Sequence, residues 1–227
     1  MTPLVVVRAE PGASASVAAA RAAGLTAVAH PLFEAHPAPW DPPDADGIDA
    51  LLIGSANALR HGGPALSGYR DKPVYAVGAA TAAAAHAAGF VVAHAGEGSL
   101  QRVVERVAPG HRRLLRLAGD ERIGLRPGAC IIAERIVYSV VPLSVSAALR
   151  AVLTGGAVVL VHSAAAAQRL AAEVPRALRA RIALALIGPR LIEPAGMGWS
   201  ALAVAARPDE RALLAAARGL CQGRTSE

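Results

Sequence analysis

Four positions place a small or hydroxyl-bearing residue between the end of an apolar run and a helix-forming stretch: Ser55, Gly78, Ser163 and Gly188. A helix that starts at a strand end presents free backbone N–H groups and a partial positive charge, and together these attract anions. Four such ends suit a ligand carrying several carboxylates. Ordinary N-capping and tight turns ask for the same residue types, so each position also has an explanation without a ligand. Arg8 follows the first apolar run, at the edge where open α/β sheets bind ligands. A guanidinium there is either a carboxylate partner or a solvated surface group. Arg190 stands at an expected helix start, where a cation opposes the helix dipole. That departure from a local rule points to a task such as holding a carboxylate, or to a side chain in water. Tyr138 lies in an extended apolar segment, where its phenol either donates a proton inside a cleft or simply covers a domain junction.

The chain carries no phosphate loop and no Gly-x-Gly-x-x-Gly after the first strand. It has no His-Glu-x-x-His, no Cys-x-x-Cys and no nucleophile elbow. Its seven histidines show no metal-ligand spacing. Neither a cofactor nor a metal is expected. Cys130 and Cys221 are too far apart in sequence to suggest a disulfide framework.

These residues need a scaffold, and the pattern supplies one. Short apolar runs alternate with Ala-rich stretches of helical length, which reads as α/β with parallel strands buried on both faces. The expected strands are Leu4–Val7, Thr26–His30, Ala50–Ile53, Val74–Val77, Phe90–Ala93, Arg113–Leu117, Ala129–Ala133, Ala157–Val161, Ile182–Ile187 and Ala201–Ala205, with helices between them. Gly24 and Gly89 each sit where a helix C-cap glycine belongs. The scaffold also repeats: residues 51–59 resemble 158–166, and residues 75–81 parallel 184–190. A two-strand unit precedes each three-strand unit, at residues 3–30 and roughly 112–135, and each ends in an extended piece. Two plus three strands make a small doubly wound sheet, so two similar domains are expected. Sequence leaves open which two-strand unit joins which three-strand unit.

The bulk numbers narrow the partners. The 227 residues are 54% hydrophobic but only 3% aromatic, so Ala, Val and Leu must fill the core. A net charge of +6 favours an anionic partner. Lys72 is the single lysine and the arginines are scattered, which argues against nucleic acid. The start Met1-Thr2-Pro3-Leu4 lacks a signal peptide pattern. The uncharged stretch Pro73–Gly96 is long enough to span a bilayer, but glycines break it and two histidines interrupt it. It reads better as strand, helix and strand. A cytoplasmic monomer with a small-molecule substrate, no nucleic acid and no membrane is the expectation.

Several motifs then fall into a known order. They are Val7-Arg8-Ala9-Glu10-Pro11-Gly12, Pro31-Leu32-Phe33-Glu34, Gly54-Ser55-Ala56-Asn57-Ala58, Tyr75-Ala76-Val77-Gly78-Ala79-Ala80-Thr81-Ala82 and Gly96-Glu97-Gly98. Leu117-Ala118-Gly119-Asp120, Val137-Tyr138-Ser139-Val140-Val141-Pro142, His162-Ser163, Ile187-Gly188-Pro189 and Ala206-Arg207-Pro208-Asp209 follow. In this order and spacing they resemble the uroporphyrinogen-III synthase family over nearly the whole chain.

The resemblance implies two doubly wound, flavodoxin-like parallel-sheet domains joined by a two-stranded β-ladder. Residues 1–31 plus 143–219 would form the first domain and 37–135 the second. Residues 32–36 and 136–142 would be the connectors, and 220–227 a frayed tail. It implies cyclisation of hydroxymethylbilane, a linear tetrapyrrole with eight carboxylates, to uroporphyrinogen III. Water is lost and ring D is inverted through a spiro intermediate. Tyr138 matches the tyrosine proposed to assist loss of the hydroxyl. Arg8, Ser55, Gly78, Ala79, Thr81, Ser163, Gly188, Pro189 and Arg190 carry over as substrate-binding positions. The bilane closes unaided to the unrearranged isomer, so catalysis would lie mostly in holding the chain folded.

Two departures stand out. Gly54 occupies a position that is commonly Thr in the family, and Gly188-Pro189-Arg190-Leu191 lacks the usual Thr after Gly-Pro. Arg190 would take over one hydroxyl contact. Two rivals are a non-catalytic two-domain binder of a polyanionic tetrapyrrole or similar ligand, and a nucleotide or sugar-phosphate enzyme on the same fold class.

Overall fold

Val, Leu and Ile dominate the apolar runs, and these become strands. Ala-rich stretches between Gly or Pro breakers become helices. The computed structural model describes residues 2–223. In chain order it runs β1 (Leu4–Val6), α1 (Gly12–Ala22), β2 (Ala27–Ala29), β3 (Phe33–Pro37), β4 (Ala50–Ile53), α2 (Ala56–His61), β5 (Val74–Val77), α3 (Gly78–Ala87), β6 (Val92–Gly96) and α4 (Leu100–Val104). It continues with β7 (Arg113–Gly119), β8 (Ile131–Pro142), α5 (Ala147–Thr154), β9 (Ala157–Val161), α6 (Ala164–Glu173), α7 (Arg176–Arg179), β10 (Ile182–Leu186), α8 (Ile192–Ala195), β11 (Ala201–Val204) and α9 (Glu210–Gly223).

The chain divides into two compact units. One is built from both ends, up to Glu34 and from Pro142 onward; the other is Ala35–Val141. We call them the end-built unit and the central unit. The end-built sheet has the order β11-β10-β9-β1-β2, with every pairing parallel. The strand order reverses between β1 and β9. Residue parity sorts its two cores. Val5, Val159 and Leu184 face one side with α5 and α6 residues such as Leu149 and Leu170. Leu4, Val158 and Ala183 face the other with α1 and α9 residues such as Val17 and Leu213. Covering both faces is what lets these strands be apolar throughout.

The central sheet has the order β3-β8-β7-β4-β5-β6. The neighbours β8-β7, β7-β4, β4-β5 and β5-β6 are parallel. Its strand order reverses between β4 and β7. Leu51, Ile53 and Leu115 face one core, and Leu52, Leu114 and the α4 residue Val103 the other.

Several expectations need correction. The central sheet has six strands rather than five, because β3 joins its edge beside β8. The expected strand Ala129–Ala133 and the connector 136–142 are one strand, Ile131–Pro142. Ile131, Ile132, Ile136, Val137, Tyr138, Val140 and Val141 favour extended backbone, and nothing breaks the run. No helix lies between β7 and β8 among the described residues. Gly124, Pro127 and Gly128 interrupt that segment, and its charges leave no apolar face. The strand expected at Phe90–Ala93 starts later, at Val92. Gly24 and Gly89, with φ of +76° and +83°, end α1 and α3, and Phe90 then drops into the core at 4% exposure. Residues 220–223 continue α9 rather than fraying, and the rest of the expected tail, 224–227, lies outside the described residues. The uncharged stretch Pro73–Gly96 folds as β5, α3 and β6. No helix among the described residues is long and apolar enough to cross a membrane.

Candidate functional site

In the central unit the carboxyl ends of β4, β5 and β7 meet at the reversal of strand order, where open α/β sheets form a crevice. A cavity of about 310 Å³ opens there. Ser55, Val77, Ser99, Arg116, Gly119 and Tyr138 line it, and residues 121–125 of the segment after β7 close one side.

Each of these side chains is placed by a local feature. Ser55 is the N-cap of α2, and its Oγ accepts from the Asn57 N–H at 3.3 Å. Ser99 caps α4 in the same way, accepting from Arg102 N–H at 3.4 Å. Tyr138 sits opposite Gly119, at an irregularity in the β7–β8 register between Ala118 and Gly119. The ring lies so close to Gly119 that a Cβ there would come within 2.7 Å of it. Tyr138 is 9% exposed, and His61 lies with its ring centroid 6.1 Å away. No hydrogen bond to the Tyr138 hydroxyl is found among the described residues.

Beneath the cavity is a cluster that sequence reasoning missed. Arg116 is 6% exposed. Its Nη1 donates to Glu134 Oε2 at 2.7 Å, and its Nη2 donates to the Ile123 carbonyl at 2.9 Å. Arg122 Nε reaches the other Glu134 oxygen at 2.6 Å. Arg116 Nε is buried without a partner. The signal was present: Leu114-Leu115-Arg116-Leu117 puts a cation inside an otherwise apolar strand, and buried arginines are seldom unpaired.

The end-built unit has a second cluster at its own reversal, where β1 and β9 end. His162, which follows β9, meets Glu210 at the start of α9, Nε2 to Oε2 at 3.0 Å. Arg8 Nη1 lies 3.6 Å from the same oxygen. Burial pushes the Glu210 carboxyl up, but His162, Ser16 and Arg8 together outweigh it and hold the group below its usual value. Ser16 Oγ, Glu210 Oε1 and His162 Nδ1 are all buried without hydrogen-bond partners. Arg8 folds back over Gly12, where a Cβ would overlap its guanidinium.

The structure brings Ser55 and Tyr138 to one cavity. Gly78 and Ala79 begin α3 beside the lining residue Val77, without lining the cavity themselves. Thr81 is 5% exposed and turned into the core, so its hydroxyl is not offered at the surface. Ser163 caps α6, its Oγ accepting from Ala166 N–H at 3.2 Å. Gly188 does not open a helix of full length. Pro189–Leu191 make a single 3-10 turn, and α8 is only four residues. Two prolines, Pro189 and Pro194, fall within that short segment, and a proline inside a helix removes a backbone donor. The dipole argument for Arg190 therefore loses its basis. Arg190 is exposed, with no ion pair found among the described residues.

The sequence profile of one family, uroporphyrinogen-III synthase HemD, matches residues 14–215. The chain belongs to that family. No curated protein matches its sequence. Among solved structures, the uroporphyrinogen-III synthetase of Helicobacter pylori is similar with a TM-score of 0.69 at 16% identity, covering 97% of this chain and 100% of that one. A mutant uroporphyrinogen III synthase from the extremely thermophilic bacterium Thermus thermophilus gives a TM-score of 0.52 at 16% identity, with both chains covered fully. At that identity the likeness is one of fold, a mixed α/β architecture with parallel sheets. Membership of the uroporphyrinogen-III synthase family rests on the profile match.

Proposed function

We infer that this chain is a cyclising hydro-lyase that converts hydroxymethylbilane to uroporphyrinogen III, releasing water and inverting ring D through a spiro intermediate. The observation that carries the reading is the family match across residues 14–215. The central cavity fits it. Tyr138 is proposed as the catalytic group that protonates the departing hydroxyl, and Ser55 with the start of α3, Gly78 and Ala79, as substrate positions. In the end-built unit Arg8, Ser163, Gly188, Pro189 and Arg190 are the proposed carboxylate positions. Thr81 would act only through the placement of α3. A net charge of +6 suits a substrate with eight carboxylates. The uncatalysed counterpart of the reaction already proceeds, so orientation is the main task.

The finer description of the scaffold belongs to the same proposal. Each sheet is read as flavodoxin-like, and β3 with β8 as the two-stranded connection of the domains. Residues 1–31 with 143–219, and 37–135, are read as the functional domains. The enzyme is expected to act as a cytoplasmic monomer without cofactor. Incubation with freshly generated hydroxymethylbilane, followed by separation of isomers I and III, is the test. Isomer III should dominate. Isomer I alone, at the rate of the uncatalysed control, would sink the enzyme reading.

A further inference from the structure

Arg8 follows the carboxyl end of β1 with a side chain that is 41% exposed, so its guanidinium can be reached from solvent. A surface arginine samples many rotamers, and a ligand that binds it must first order them. Two neighbours restrict this one. The first is Glu210, at the start of α9, whose Oε2 lies 3.6 Å from Arg8 Nη1. That is close enough for attraction but too long for a hydrogen bond, so Glu210 orients the guanidinium without engaging that N–H donor. Glu210 is itself held, because its Oε2 accepts from His162 Nε2 at 3.0 Å and the His162 side chain is only 7% exposed. Its other oxygen is buried, so Arg8 meets a single oxygen that His162 already shares. The second neighbour is Gly12, at the start of α1. A Cβ there would stand 2.4 Å from Arg8 Nε, 2.7 Å from Cζ and 2.9 Å from Nη2. Gly12 does not adopt a positive φ, so its own backbone does not call for glycine; the space taken by Arg8 does. The other acids nearby are engaged elsewhere. Glu10 accepts from Ser14 N–H at 3.0 Å and from Ser14 Oγ at 2.9 Å, and Asp209 lies 3.5 Å from Arg207.

We propose that Glu210 and Gly12 are positioning residues for Arg8: Glu210, fixed by His162, aims the guanidinium by charge, and Gly12 leaves the space in which it lies, so that a carboxylate of the substrate meets Arg8 already oriented. The proposal deepens the proposed function and rests on it for the role of Arg8 and the identity of the ligand. Glu210 does not block that role. A substrate carboxylate can bring two charge-assisted hydrogen bonds to a guanidinium, whereas Glu210 at 3.6 Å makes none. Glu210 remains ionised at neutral pH, since its carboxyl lies below its usual value. Part of the ordering that binding requires is then complete before the ligand arrives, which favours affinity without adding a contact.

The test combines spectroscopy with kinetics on the full chain. The heteronuclear NOE of the Arg8 Nε–H group is measured in the ¹⁵N-labelled protein without ligand, and Arg8→Lys identifies the signal. It should report a rigid group in the wild type and a mobile one in Gly12→Ala and in Glu210→Gln, which keeps an acceptor for His162 but removes the charge. Each variant should raise KM for hydroxymethylbilane by about threefold to tenfold, the scale of ordering one long side chain, with kcat little changed. Gly12→Ala should do so with its melting temperature unchanged or slightly raised, because alanine suits a helix better than glycine and only the end of a flexible side chain must give way. It decides the matter if Glu210→Gln does not fold. Arg8→Ala should raise KM by itself, and on that background neither variant should add to the effect, whereas a general packing defect would persist. An Arg8 signal already mobile in the wild type would overturn the positioning roles. So would a KM for isomer III formation that ignores Gly12→Ala, or a rise that survives on the Arg8→Ala background. An Arg8 held in the wild type and released in both variants, in a chain that makes no isomer III, would uphold the positioning and overturn the enzymatic reading instead.

Discussion

Replacing Gly119 by Ala offers a direct probe of Tyr138, because the two residues face each other across β7 and β8. A Cβ at position 119 would lie 2.7 Å from two ring carbons of Tyr138 and 3.0 Å from its oxygen, whereas ordinary contact begins at 3.4 Å. The ring tip must therefore move by the 0.7 Å between 2.7 and 3.4 Å, or the strands must part by as much. Neither is free, since Tyr138 is 9% exposed and packs in the core of the central sheet. Overpacking of this kind costs about 1–3 kcal/mol of stability. A reacting group displaced by about 1 Å costs up to roughly a hundredfold in rate. Gly119→Ala should thus lose about tenfold in isomer III formation, with a lowered melting temperature. Tyr138→Phe should lose roughly tenfold to a hundredfold with the fold preserved, the low end of general acid catalysis. The decisive assay is the double variant, measured by the initial rate of isomer III from fresh hydroxymethylbilane. If Gly119 matters through the phenol, the double variant is no slower than Tyr138→Phe alone. Losses that multiply would show that the Cβ acts elsewhere. An unchanged rate for Tyr138→Phe would return that side chain to packing.

Hydrogen bonds from the Arg113 backbone and side chain hold the Asp49 carboxyl at about 2, down from 3.8. Because the folded value is depressed, its stabilising contribution is complete above pH 3.8 and is lost as pH falls towards about 2. Asp49→Asn should therefore lower the urea midpoint at neutral pH by an amount that shrinks on acidification; a gap independent of pH would refute the linkage. Ser163→Ala removes the cap of α6 and should cost about 1 kcal/mol in urea unfolding, whereas a neutral result would mean that water replaces Oγ without loss. KM for the bilane should rise with salt, since exposed guanidinia such as Arg122 are screened within about 10 Å at 0.1 M; a flat KM would remove charge from the account of recognition.

The scaffold was legible because packing writes periodicity into sequence. Leu51-Leu52-Ile53 and Val158-Val159-Leu160 are apolar at every position because both faces of their sheets are covered, and no other placement of such runs is stable in water. Ser55 and Ser163 were legible as caps for a similar reason, since a helix start needs an acceptor for its free N–H groups. The length of β8 was not, because nothing local separates a connector from the strand that continues it. The helical reading of Gly188–Arg190 failed because Pro189 suits a helix start as well as a 3-10 turn, and only the brevity of α8 decides between them. Tyr138 could be named but not placed: its partner Gly119 lies on another strand and is visible only as an absent side chain.

What the sequence concealed most completely is where the charges meet. Arg116 with Glu134, and His162 with Glu210, are 18 and 48 residues apart. No periodicity links them, because an ion pair needs two side chains at one point and not a face. The His162–Glu210 cluster lies at a reversal of strand order, where β1 and β9 end, whereas the Arg116–Glu134 pair joins β7 to its outer neighbour β8 and leaves Arg116 only 6% exposed. The internal repeat thus extends to the backbone and the caps but not to the charges. The central unit sets two arginines on Glu134 near Tyr138, and the end-built unit a histidine and an arginine on Glu210. Selection on packing maintains the repeated part, since every strand needs it. Packing places no such demand on the charged groups, so the two units can differ there without loss of either sheet.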